Sequence, residues 1–180
     1  MSETTCNVSR ETQPTDEKET DDMNTNQPEV KEVNTIPVFV YGSLRPGAAG
    51  ANDAMVNASV LGPWSAVTVG QLYRHECGAY PVLCAGLPGE GVGGTVGGGT
   101  VIGDVYLIDE DHADWLWLYQ METRAGYRAV WKDCGVQQTT GEWRTLKCIT
   151  FQWDWAERGE IVENGDWLTV DAAAWPRATR

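Results

Sequence analysis

The chain has 180 residues, 42% of them hydrophobic, enough for one domain with a sizeable core. It carries 26 acidic against 13 basic side chains, a net charge of −13. That balance argues against binding a phosphate backbone, which needs clustered Lys and Arg to displace counterions, and no run of about 18 apolar residues is present to span a membrane as a helix.

Residues 1–35 are rich in Thr, Glu, Asp, Asn and Gln and hold no aromatic residue. Residues 1–36 contribute nine acidic and three basic side chains, a net of −6. Such a segment cannot bury enough apolar area to offset the entropy of ordering, so a disordered acidic tail is expected over 1–35. Its opening, MSETTCNVSRETQPTDEKETDD, is too polar for a signal peptide, and a cytoplasmic location is expected. Whether the tail engages a partner protein is left open.

The folded domain is expected over 36–171, with 172–180 as a loose end. Residues 36–41 (IPVFVY) form a continuous apolar run, the pattern of a strand buried on both faces. Residues 50–60 read as a weaker helix or a structured loop. Residues 66–74 (AVTVGQLYR) read as a strand, with Gly70 marking a bulge or bend. Residues 100–108 (TVIGDVYLI), 128–134 (RAVWKDC) and 145–153 (TLKCITFQW) complete a set of five strands. Short strands interrupted by glycine suggest a small, curved sheet or barrel.

The one strong helix is predicted to begin at Asp109 as N-cap, with Glu110 and Asp111 in its first turn, and to stop by Gly126. Residues 89–94 (GEGVGG) match G-x-G-x-x-G in form only. No strand immediately precedes them and no helix follows, so a flexible loop is expected there. The five cysteines are odd in number and lack C-x-x-C spacing. With only two histidines, His75 and His112, a zinc site is not supported and reduced thiols are expected. The nine tryptophans are expected to pack the curved sheet and its helix, an aromatic cage for a cation being the alternative.

Two places could carry chemistry. On the predicted helix Trp115, Leu118 and Glu122 share one stripe, so a carboxylate continues the apolar face. Burial would raise its pKa and make it a competent base near neutral pH. The alternative is a solvated carboxylate beyond a frayed helix end, or one paired with Arg124 or Arg128. At the other place, VFVYGSLRPG (38–47), a strand runs into Gly42 and Ser43. Clustered backbone N–H groups and the Ser43 hydroxyl can receive a carboxylate or a developing oxyanion. Arg45 either adds charge to that site or stands on the surface before the Pro46-Gly47 turn. No G-x-S-x-G elbow surrounds Ser43, so it is not a nucleophile of that type.

In combination, these stretches resemble the gamma-glutamylcyclotransferase-like family. VFVYGSLRPG is similar to its opening signature, and LYQMETRAGYRAVW (118–131) to the segment holding its catalytic glutamate. GAYPVL (78–83), VIGDVYLID (101–109) and NGDWLTV (164–170) follow its order. The resemblance covers about 36–170. It implies an α+β fold, a small, mainly antiparallel β-barrel flanked by helices. It further implies that the α-amine of a γ-glutamyl amine or γ-glutamyl amino acid attacks its own γ-carbonyl, giving 5-oxoproline and a free amine. By the same resemblance Tyr41, Gly42, Ser43 and Leu44 cradle the glutamyl group, Glu122 is the general acid/base, and Tyr127 lines the pocket or bonds the substrate. The implied reaction needs no cofactor and no metal, and its partner is a small γ-glutamyl molecule, with no nucleic acid or membrane. The chain departs from the family at Tyr119, where an Asp is common, at Thr123, where a Gly is common, and at Asp53, where a His often follows Asn52. Tyr119 and Thr123 motivate a second reading, a catalytically silent module that binds a γ-glutamyl-like or other small anionic metabolite. A third is an interaction protein working through its acidic tail.

Overall fold

The computed structural model describes residues 33–48, 52–78, 80–84, 99–154 and 159–170. The expectations for the acidic tail up to residue 32, the GEGVGG stretch and the 172–180 end lie outside these residues.

Strand β1 (Thr35–Val40) explains its unbroken apolar run, because both its faces are buried. Val38 and Val40 point to one cluster, with Met55, Ile108, Trp115, Leu118 and Phe151. Phe39 and the following Tyr41 point to another, with Ala66, Val101, Val105, Cys134 and Cys148. The period-two alternation of a strand therefore feeds two cores at once.

After helix α1 (Asn52–Ala58) come β2 (Ser59–Val69), β3 (Gln71–Arg74), β4 (Pro81–Cys84) and β5 (Thr100–Asp109). Helix α2 (Ala113–Arg124), β6 (Arg128–Gln137) and β7 (Trp143–Gln152) follow. Strands β1-β5-β2-β6-β7 close into a barrel, and β3-β4 form a separate two-stranded sheet. Every barrel pairing is antiparallel except β1 with β7, which meet in parallel at Val38 and Ile149. The expected small, mainly antiparallel α+β barrel with flanking helices is the fold observed.

Three boundaries differ from expectation. The single strand predicted over 66–74 is two strands in different sheets. The chain bends at Gly70, where an added Cβ would stand 2.6 Å from Leu83 Cδ1. Strand β2 also begins at Ser59, crossing Gly62-Pro63, which reads locally as a breaker. The pairing with β5 tolerates it by shifting register between Ser59 and Trp64. Helix α2 starts later than predicted, with His112 as N-cap accepting from Asp114 N–H. Asp109 remains paired with Thr35 in the barrel, and its side chain caps a turn by accepting from Asp111 N–H. The predicted stop at Gly126 is present, at φ 102. Packing by tryptophan holds for the buried Trp115 and Trp167, whereas Trp117, Trp131 and Trp143 are more than half exposed. None of the four described cysteines, Cys77, Cys84, Cys134 and Cys148, is in a disulfide.

Candidate functional site

Strand β1 emerges from the barrel wall at Tyr41 and turns at once. Arg45 N–H donates to Gly42 O at 3.0 Å and closes the turn. Among the described residues no hydrogen bond takes up the N–H of Ser43 or Leu44. Gly42 is needed because a Cβ there would meet Pro81 Cγ at 2.6 Å. The glycine thus serves a close approach of two segments, not a left-handed backbone.

Beneath this turn lies a cavity of about 280 Å³. All six residues expected at the site line it: Tyr41, Gly42, Ser43, Leu44, Glu122 and Tyr127. They come from the turn after β1, the last turn of α2 and the residue just before β6, so only the tertiary fold brings them together. Sequence reasoning did not assign Tyr80, Pro81, Met121 and Phe151, which also line it. The GAYPVL stretch held the signal for the first two.

Among the described residues, Glu122 is the only charged one lining the cavity. Trp115 and Leu118 on its stripe are buried, as the periodicity predicts. Burial pushes the Glu122 carboxyl up from 4.5 to about 7. The alternative pairing does not occur. Arg128 instead binds Asp154 at 2.6 Å, and among the described residues no ion pair involves Glu122. The helix does not fray, since Tyr127 N–H donates to Glu122 O at 3.1 Å and Ala125 N–H to Met121 O at 3.0 Å.

The two tyrosines brace the cavity. Tyr41 O–H donates to Phe151 O at 2.6 Å and accepts from Leu83 N–H at 3.3 Å. Tyr127 O–H donates to Pro81 O at 2.9 Å. Burial raises both phenols well above their ordinary value of 10.0, so they stay neutral. Their protons are committed to the backbone, which makes them wall and brace. Tyr127 stands tilted to Tyr80, ring centroids 6.3 Å apart.

Arg45 takes neither of its expected places. It is 7% exposed, and its guanidinium lies on Asp104, Asp166 and Ile102 O instead of in the cavity or on the surface. Tyr119 packs its ring on Trp115 and Phe151, and Thr123 Oγ1 donates to Tyr119 O at 2.8 Å. Neither departure residue lines the cavity. Elsewhere, His75 Nδ1 lies 3.0 Å from Cys77 Sγ, and among the described residues no group of three His, Cys, Asp or Glu side chains could hold a metal ion. Among those residues, too, no helix is long and apolar enough to cross a membrane.

A model of the gamma-glutamyl cyclotransferase, AIG2-like family matches residues 38–169, from within β1 to the last turn after β7. The chain belongs to this family. Three solved structures are similar to the chain. An uncharacterized protein from Pyrococcus horikoshii is 23% identical, with 73% of this chain and 89% of that one covered and a TM-score of 0.49. An AIG2-like protein from Mus musculus is 19% identical, with 66% and 77% covered and a TM-score of 0.47. A protein from Arabidopsis thaliana is 21% identical, with 72% and 78% covered and a TM-score of 0.47. No curated protein sequence matches the chain. In this gamma-glutamyl cyclotransferase, AIG2-like chain, the matched segment contains every described residue that lines the cavity.

Proposed function

We propose that the chain is a cyclotransferase that converts a γ-glutamyl amine or γ-glutamyl amino acid to 5-oxoproline and a free amine, with Glu122 as general acid/base. The observation that carries this reading is a carboxyl, raised to about 7 by burial, in the same cavity as the Ser43 and Leu44 N–H groups, which no hydrogen bond among the described residues takes up. Family membership supports the cyclotransferase class; the substrate and the residue roles are our reading.

The chemistry matches the groups present. A free α-amine has a pKa near 8, so at neutral pH it is mostly protonated and unreactive. A base near 7 takes that proton with little mismatch. The neutral amine then attacks the γ-carbonyl carbon of the same molecule. The new C–N bond closes the five-membered ring, and the bond to the leaving nitrogen breaks. Glu122 gives its proton to that nitrogen as the amine departs, then takes the second proton from the new ring nitrogen and passes it to the released amine, which leaves 5-oxoproline with a neutral lactam, an ammonium product and a free Glu122 carboxylate. The Ser43 and Leu44 N–H groups and the Ser43 hydroxyl are the donors available to the substrate carboxylate or the developing oxyanion. Nucleophile and electrophile share one molecule, so the cavity chiefly folds the substrate into a near-attack shape.

The silent-module reading loses its motive, because Tyr119 and Thr123 stay out of the cavity. The test is 5-oxoproline release from a panel of γ-glutamyl amines and γ-glutamyl amino acids, with Glu122→Gln in parallel. Release by the wild type alone supports the proposal; equal release by both proteins sinks the role of Glu122.

A further inference from the structure

The reaction as proposed makes no use of a buried ionic cluster directly behind the binding turn. Arg45 Nε donates to Asp104 Oδ2 at 2.7 Å, and Arg45 Nη1 donates to Asp166 Oδ1 at 2.6 Å and to Ile102 O at 3.4 Å. The side chains are 8%, 12% and 21% exposed for Arg45, Asp104 and Asp166. Well-packed apolar residues often replace such a cluster without loss of stability, so its presence needs another reason.

That reason lies in what each member is tied to. Arg45 closes the turn through its own N–H on Gly42 O. Leu44, one residue earlier, is buried in the cluster that packs β1 against the helices. The turn is therefore anchored on both sides of the sheet, and Ser43 is held between them at the cavity. Asp104 belongs to β5. Asp166 sits in the NGDWLTV segment, where the same Oδ1 also accepts from Leu168 N–H at 3.0 Å and caps the 3₁₀ turn Trp167–Thr169. That segment is itself fastened to β5, since Ile102 N–H donates to Gly165 O at 2.9 Å.

We infer that Arg45 and Asp166 are positioning residues. They clamp the Tyr41–Leu44 turn so that its N–H donors face the glutamyl group, which makes the NGDWLTV segment a working part of a site it does not touch. The inference rests on the glutamyl reading for its consequence in catalysis, and on the turn alone for its physical content.

The test uses the full chain with Asp166→Asn, Arg45→Lys and the double variant. Asn keeps an oxygen for the Leu168 N–H and removes one carboxylate charge from the cluster, so the fold survives the change. The expected result for Asp166→Asn is a KM raised on the order of tenfold, the size of coupling usual between contacting charged groups, with kcat changed less and the unfolding midpoint not lowered. Amide exchange at Arg45 should quicken by a similar factor, while the β6–β7 amides keep wild-type rates. The double variant should cost less than the product of the two single effects. Wild-type exchange at Arg45 in both single variants overturns the inference, as does a uniform acceleration of all amides together with a lower midpoint. If the wild type releases no 5-oxoproline from any compound, the exchange arm still decides the clamp, and that failure belongs to the glutamyl reading alone.

Discussion

Replacing Glu122 by Gln should inactivate the protein and stabilise it. Burial holds the carboxyl near 7 against 4.5 when exposed. Each pKa unit corresponds to 1.36 kcal/mol, so the folded state is penalised by about 3 kcal/mol once the group is ionised. The folded carboxyl binds a proton more tightly than the unfolded one. Stability therefore falls as pH rises from about 4.5 to about 7, and the whole penalty is present above 7. Gln has the same shape and no charge to bury. The difference in unfolding free energy between variant and wild type should grow by about 3 kcal/mol between pH 4 and pH 8. For a chain of this length that is a rise in Tm of about 6–12 °C at the upper pH. Urea unfolding of both proteins at unit pH steps measures it, and 5-oxoproline release at pH 8 should drop by about 10²–10⁴. A difference that stays flat across this range would show that Glu122 is solvated and that burial does not make it a base.

Three more outcomes follow from the same geometry. In the wild type, kcat/KM should rise with pH through an apparent pKa of about 7 and level off above it, since only the ionised carboxylate accepts a proton; a profile flat from pH 5 to 9 would contradict the assignment. Gly42→Ala puts a methyl 2.6 Å from Pro81 Cγ and should lower stability by about 1–3 kcal/mol and raise KM, as the turn or β4 must shift; denaturant melts and kinetics read both. Tyr127→Phe leaves Pro81 O without its donor and should cost about 1–3 kcal/mol with activity largely kept, because that hydroxyl braces the wall. A thousandfold loss of kcat in Tyr127→Phe would instead give the phenol a chemical role.

Local rules carried much of this protein into view. The unbroken IPVFVY run announced a strand with two buried faces, and the Trp115–Leu118–Glu122 stripe placed a carboxylate on the inner face of a helix. Gly126 announced where that helix ends. These features depend on neighbours within about two helical turns, so they are written in adjacent residues. The motif at 38–47 pointed to the turn that lines the cavity for the same reason.

The rest was settled by partners far along the chain. Asp109 has the propensity of an N-cap, yet pairing with Thr35 keeps it in the barrel and passes the cap to His112. Gly62-Pro63 reads as a break, yet pairing with β5 carries β2 across it. Arg45 reads as a surface residue or a pocket charge; its carboxylates lie 59 and 121 positions away. Which of two allowed local states a segment takes depends on burial and charge that arrive only when distant elements pack. Glu122 shows both halves of this. Its face was set by helical period, while its raised pKa follows from the walls that Tyr41, Tyr127 and Phe151 build around it from three other parts of the chain.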